Sequence, residues 1–458
     1  MPTAESSYVF QSIIKDRSPM VISSKGLYLT VEDPKTGEHK VILDAMTGAA
    51  VGSLPHKDEE IVEAMCDAAR NSTYTFGLYI SNYAAEQLGK FICDRSDGAF
   101  ASALFTGSGS ESNENAMKFV KQYHLEKGDK KRFRFISRKQ AYHGFTTGAL
   151  SLGDGIRKRD YVDILLTDEQ CPKVSQMYPY RHMEEGETPE EYGQRLVDEL
   201  EQCFIDHDPE TIAGVFMETV GGSSFGTCVP VPGYLDGCKK VCEKYGALFV
   251  LDEVMCGLGR CGAYHAWQKY MTSGGPDLQT IGKTLGSGFV TLSGVLISPK
   301  VKSVIAGGSG ATAGAQTYHS HDFNCRIGLA VQQKIDRDNL VANSEKMGKY
   351  LEEQLKEKLA DSPVVGYIRG AGLFWSLEFV KDKETKETFP VDVRFCYRLQ
   401  EKCFQNGITT MAFSGTVDGI NGDHISIAPA YTITKPDIDS IVEIMAKSVD
   451  QMAAEVSA

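Results

Sequence analysis

Through the middle of the chain, short apolar runs alternate with stretches whose apolar positions recur every three to four residues. SALFT (102–106), RFIS (134–137), IAGVFM (212–217), ALFVLD (247–252), LQTIG (278–282) and GVLIS (294–298) read as buried strands. Between them, ESNENAMKFVKQYHLEK and GYLDGCKKVCEKYG carry helical spacing, and the second closes on a glycine, as helices often do. Strands buried on both faces and alternating with helices predict a mostly parallel sheet covered on both sides. The last third changes character. NCRIGLAVQQKIDRDNLVANSEKMGKYLEEQLKEKLA predicts one long helical stretch, and VVGYIRGAGLFWSLEFV a strand pair in a smaller unit. KDKETKETFP reads as a solvated turn, and no repeat or low-complexity linker interrupts the pattern.

Composition narrows the classes. A chain of 458 residues can bury a sizeable core and suggests roughly two to three units. A formal charge of −13 argues against nucleic acid or an anionic membrane as partner, since both need a basic face. No apolar run approaches the ~20 residues of a membrane span. MPTAESSYVFQSIIKDRS has no apolar signal core and no arginine-rich amphipathic pattern, so a cytoplasmic location is expected. The 12 cysteines form no C-x-x-C pair and no histidine-supported set, so they read as reduced thiols with no metal site.

Ligands of parallel α/β sheets sit beyond the C-terminal ends of the strands. Gly107, Asp252 and Lys283 all fall at such ends. LFTGSGSESNENAMKF runs from a strand through Gly107, Ser108, Gly109 and Ser110 into a helix, where glycines and free amides suit a phosphate. A plain strand-to-helix turn fits the same residues, and Ser112 stands where a dinucleotide motif needs its third glycine. In KQAYHGFTTG, Tyr142 and His143 offer an aromatic face to a flat heterocycle, or simply a packed ring beside a turn. Asp252 ends the apolar run ALFVLD, where a carboxylate is costly to bury without a cation or strong donor. A pyridinium nitrogen is one such partner, with Val254 flat against the ring. Lys283, glycine-flanked in TIGKTLGSG, is placed for partial desolvation, which moves an amine towards its nucleophilic free base. A neutral lysine forming a Schiff base with an aldehyde cofactor, and an aspartate keeping the ring protonated, is the pyridoxal phosphate arrangement.

The motifs FTGSGSESNENAMK, AYHG, LDEVMCGLGRCG, TIGKTLGSG and TYHSHDFNCRIGLAVQQ together resemble the class III pyridoxal phosphate-dependent aminotransferases of fold type I. The pattern is most similar to the omega-amine and amine–pyruvate members, and runs from KGLYLTVEDPKTGEHKVILDAMTG to ISIAPAYTIT. The resemblance implies an α/β protein: a large cofactor-binding domain over 61–330 with a mostly parallel seven-stranded sheet. It also implies a smaller α+β domain from 1–60 and 331–458, and a homodimer with shared active sites. It implies that Gly109 and Ser110 hold the phosphate, Tyr142 stacks on the ring, Asp252 pairs with the pyridine nitrogen and Val254 packs beneath it. Lys283 would carry the Schiff base, Glu218 would support the cofactor site, His143 matches the Y-H-G motif, and Thr317 would reach the phosphate from the second subunit. Phe76 or Tyr79, in STYTFGLYISNY, would give a substrate apolar contact, while Arg260 and Arg369 match structural arginines.

Two departures bear on the substrate. Many members that use α-amino acids carry an arginine before the C-terminal A-P pair, where this chain has Ser426. The stretch MAFSGTVDGINGDH, where the amine–pyruvate branch carries a mobile arginine, has none. Arg138 and Lys139 read as surface charges rather than substitutes. The expected reaction is transfer of an amino group from an amine-type donor to an oxo acceptor, such as a 2-oxo acid or an aldehyde or ketone. An aminomutase, a racemase or a decarboxylating transaminase would use the same lysine–aspartate core. A dinucleotide-binding oxidoreductase would explain the glycine-rich turn but leaves Lys283 without a task.

Overall fold

The structure, a computed structural model, describes residues 8–10 and 17–457. Much of the N-terminal stretch read for targeting lies outside the described residues. Seven strands form the central sheet, in the spatial order Ser102–Thr106, Ser293–Ile297, Leu278–Ile281, Leu248–Asp252, Ile212–Glu218, Arg134–Arg138 and Lys173–Val174. All six apolar runs are therefore strands. The seventh, Lys173–Val174, has two residues and is too short to show a period. Ser293–Ile297 runs antiparallel to both neighbours, and the remaining pairs are parallel. Every residue of Ile212–Glu218 and Leu248–Asp252 is buried, which is why those runs read as continuous rather than alternating.

Register decides where chemistry can gather. Glu218 lies opposite Asp252, and Asp252 opposite Thr280, so three strands present polar side chains in one row at their C-terminal ends. Lys283 follows three residues after Thr280.

Two smaller sheets complete the molecule. Met20–Lys25, Tyr28–Glu32 and His39–Leu43 form an antiparallel meander that the periodicity did not foretell, because most of its positions are exposed or half-buried. Val365–Ala371 and Phe374–Phe379 pair antiparallel as expected, and Asp423–Ile427 and Met411–Ser414 extend them to four strands. The long helical stretch is in fact two helices, Asp322–Arg337 and Leu340–Leu359. The break falls at Asn339, whose φ of 53° is left-handed, a conformation asparagine tolerates better than most residues. One large apolar cluster draws on residues 84–325, and another on 43–68 and 327–453. Among the described residues no helix is long and apolar enough to cross a membrane. All twelve cysteines are free.

Candidate active site

Asp252 sits at the end of its strand with both carboxylate oxygens engaged. Oδ2 accepts from Asn113 Nδ2 at 2.8 Å and lies 2.9 Å from His143 Nδ1. Oδ1 accepts the backbone N–H of Val254 at 2.9 Å. A carboxylate acceptor places a proton on His143 Nδ1, and the ring's Nε2 is buried without a hydrogen-bond partner among the described residues. Asn113 also donates to the carbonyl of His143 and accepts from Thr280 Oγ1, so one amide ties the helix Gly109–Glu126 to two strand ends. The sequence reading passed over Asn113. Its only signal was a polar residue on the inward face of that helix, where it is 1% exposed.

Lys283 follows Gly282 beyond the end of its strand and adopts φ 46°, an unfavourable left-handed backbone for a long side chain. Its amine donates to the carbonyl of Ala49 at 2.8 Å. Burial pushes the amine down from 10.5 to about 8; Asp252 pulls against this, while Arg260 and Arg157 add to it. A substantial fraction is therefore neutral near pH 8 and able to act as a nucleophile or base.

The turn from Gly107 to Ser110 leads into the helix Gly109–Glu126. Ser108 caps that helix, its hydroxyl accepting from Glu111 N–H at 3.2 Å. Ser112 N–H bonds the Ser108 carbonyl at 3.0 Å. The first-turn amides of Gly109 and Ser110 have no acceptor within the helix, as is general for that position. Gly109 must be glycine, because a Cβ there would lie 2.8 Å from Val254 Cγ1. Val254 and the open helix end are thus in direct contact.

Gly109, Ser110, Tyr142, His143, Glu218, Asp252, Val254 and Lys283 all line one cavity of about 420 Å³. Burial pushes the Glu218 carboxyl up, opposed by the charges of His143 and Arg138, and its Oε2 is buried without a hydrogen bond. Three expected residues stand elsewhere in the chain. Thr317 is exposed, its carbonyl accepting from Tyr74 Oη at 3.0 Å. Phe76 lines a second cavity with Gln316 and His319, and Tyr79 is 81% exposed.

The arginines sort differently from the sequence reading in one respect. Arg138 is no surface charge: it is 1% exposed and donates to the Glu218 carbonyl at 2.7 Å. Lys139 is exposed. Arg260 is spent on the carbonyls of Leu373, Pro429 and Gly52, and Arg369 pairs with Glu378 at 2.6 Å. Ser426 is buried, its hydroxyl 2.8 Å from Ser376 Oγ.

This set has the chemistry to hold an aldehyde-bearing pyridine phosphate. An amine lowered towards neutrality would meet the aldehyde, and a buried carboxylate the ring nitrogen. An open helix end suits the phosphate, and Val254 and Tyr142 offer apolar surface to a flat ring. Among the described residues no group of histidine, cysteine and acidic side chains is placed to bind a metal ion.

Comparison with known proteins agrees. The family pattern described as aminotransferase class-III matches residues 15–449. An uncharacterized aminotransferase of Schizosaccharomyces pombe is 40% identical over 450 residues, covering 98% of this chain and 96% of its own. A vanillin aminotransferase of Capsicum frutescens is 32% identical over 451 residues, covering 95% and 92% respectively. A thermostable (S)-enantioselective omega-transaminase from Thermomicrobium roseum superposes with a TM-score of 0.88 at 29% identity, covering 96% of this chain and 94% of its own.

Proposed function

The chain belongs to the class-III aminotransferases, and on that premise we propose that it moves an amino group from an amine-type donor to an oxo acceptor, either a 2-oxo acid or an aldehyde or ketone. Class-III aminotransferases use pyridoxal phosphate. When bound, that cofactor takes up the amino group and supplies the electron sink for the carbon that loses a proton. The observation that carries the residue assignment is the meeting of Lys283 and the triply bonded Asp252 in one cavity.

Lys283 Nζ anchors the cofactor and, once released, accepts and returns the substrate's proton. A pKa near 8 suits both directions, because the protonated and the neutral amine are both populated between about pH 7 and 9. Asp252 keeps a proton on the ring nitrogen, and its three donors hold the carboxylate in place for that task. Gly109 and Ser110 bind the phosphate through their free amides, Tyr142 covers one face of the ring, and Val254 supports the other. Glu218 and His143 complete the polar wall.

The amine-type donor is supported by the lack of a cation where relatives that use α-amino acids have arginine. Ser426 offers no free hydroxyl there, since it is paired with Ser376. The similarity to a vanillin aminotransferase, named for an aldehyde without a carboxylate, points the same way.

A homodimer with shared sites belongs to the same proposal, with Thr317 of one subunit meeting the phosphate held by the other. It is supported by the exposed apolar side chains Tyr74, Leu78, Tyr79, Ile80, Tyr83 and Tyr318 around that loop. Phe76 and Tyr79, on the same surface, would then contact substrate across the interface. A large unit over 61–330 and a small one from 1–60 and 331–458 are supported by the two apolar clusters.

The test is a panel of primary amines, alanine and glutamate against oxo acids and aldehydes, scored by the holoenzyme's absorbance change and by product. The reading expects primary amines to match or exceed alanine and glutamate in kcat/KM. An amino acid preferred more than about a hundredfold over its decarboxylated analogue would contradict it, since one carboxylate–arginine pair is worth about that much.

A further inference from the structure

Arg157 was unremarked in the charge run GIRKRD, yet its guanidinium lies 4.5 Å from the ring centre of Tyr142 and 5.5 Å from that of Phe413. It is sandwiched between the aromatic that lines the Lys283 cavity and the strand leading into the arginine-free loop. Its Nη1 contacts Ser223 Oγ at 3.4 Å and Ser224 Oγ at 3.3 Å, both long. A guanidinium has five N–H donors, and among the described residues no carboxylate lies within ion-pair distance of this one. Burial pushes its pKa down from the ordinary arginine value, partly offset by Tyr142 and Glu218. A half-buried cation without an ion-pair partner is costly unless an anion joins it.

Space for that anion adjoins it. A cavity of about 240 Å³ is bounded by Arg157, Ser223, Ser224, Phe413 and Gly419, and by Asp154, whose carboxylate accepts from the Gln140 backbone N–H at 2.9 Å. Ser223 also lines the Lys283 cavity, so the two spaces share a wall. The serine hydroxyls accept from Arg157 and keep their own hydrogens to donate to the same anion. The loop opposite packs close, since a Cβ on Gly419 would lie 3.4 Å from Gly155 Cα.

We propose that Arg157, with Ser223 and Ser224, binds the carboxylate of the oxo acceptor, so that this chain supplies from the helix Ile156–Arg159 the cation missing from MAFSGTVDGINGDH. The proposal rests on the amine-donor reading above only for which half of the reaction carries the carboxylate. It resolves a difficulty in that reading, because an enzyme without the usual arginines still needs a way to seat an acid acceptor. A guanidinium fork matches a carboxylate in two parallel bonds, and a stacked guanidinium is already oriented to make them.

The test uses the holoenzyme and three acceptors of similar size: pyruvate, with its carboxylate beside the reacting carbon; succinic semialdehyde, with it further away; and butyraldehyde, with none. Arg157→Gln is expected to lower kcat/KM for the acid acceptor roughly 10- to 100-fold while leaving butyraldehyde within about twofold. Which of the two acids falls shows where the carboxylate sits. Arg157→Lys keeps the charge without the fork and is expected to lose several-fold; it serves where the glutamine variant folds poorly.

Calorimetric binding of propionate, with propionamide as neutral control, gives a readout independent of turnover. Propionate binding lost in Arg157→Gln supports the site even if the wild-type enzyme accepts no simple amine, an outcome that overturns the donor reading alone. Equal propionate binding by wild type and variant, or equal loss with all three acceptors, overturns the role of Arg157.

Discussion

Asp252, on the floor of the cavity, accepts from Asn113, His143 and the Val254 amide at 2.8–2.9 Å. Arg157, which lines the adjoining space we assign to the rim, makes two hydrogen bonds at 3.3–3.4 Å and among the described residues has no carboxylate within ion-pair distance. Both are charged groups taken partly out of water, but the floor is internally complete and the rim is not. A group that must hold one state throughout a reaction is best fixed by many partners. A group that must accept and release a substrate is best left short of them.

The comparison is broken most severely by Lys283→Ala. Turnover is expected to fall more than ~10⁴-fold, since anchoring and proton transfer are lost together and acid–base work alone accounts for ~10²–10⁴. Steady-state rates on a homogeneous variant check this. Asp252→Asn should cost about 10²–10³-fold in turnover with the fold retained. An aspartate serving only to close its strand would instead lower Tm and leave activity per folded molecule intact, so both are measured on one preparation. Asn113→Ala removes one support of the floor without touching charge. It should lower stability by about 1–3 kcal/mol in denaturant unfolding and activity about tenfold. Smallest of all, Ser426→Ala should leave the ratio of amine to amino-acid kcat/KM within about twofold, because its hydroxyl is committed to Ser376.

A pH experiment sharpens the same contrast. The Lys283 amine of the apoprotein, lowered to about 8, should react with an acylating reagent half-maximally near that pH, whereas solvated lysines continue to gain reactivity towards 10.5. The sign follows from the neutral amine being the nucleophile, so reactivity rises with pH. Mass mapping of labelled peptides between pH 6 and 11 is a sufficient range, and a Lys283 midpoint with the surface lysines would contradict the desolvated setting.

The floor was legible in the sequence and the rim was not, for physical reasons. Asp252 and Lys283 end apolar runs, where a charged side chain conflicts with its surroundings and so calls for a partner. Asn113 lies among ESNEN, where polar residues on the buried and half-buried faces of one helix look alike. Arg157 lies in GIRKRD, whose neighbours Arg159 and Asp160 are exposed, so nothing local marks one arginine as turned inward. Arg138 misled for a related reason: it ends an apolar strand, and its charge is met by the carbonyl of Glu218, with that residue's carboxylate 3.8 Å away, distant in sequence. Six of the seven strands of the central sheet showed themselves as apolar runs. The N-terminal meander did not, because half-exposed strands alternate too weakly to declare a period.

The central claim, that Lys283 is the residue that binds the cofactor's aldehyde, is tested most directly by chemical trapping. The holoenzyme is reduced with borohydride, digested, and the peptide carrying the cofactor's mass is sequenced. The account expects the label on Lys283 in the peptide spanning TIGKTLGSG, with none in the Lys283→Ala variant. Label on any other lysine of the wild-type enzyme would contradict it.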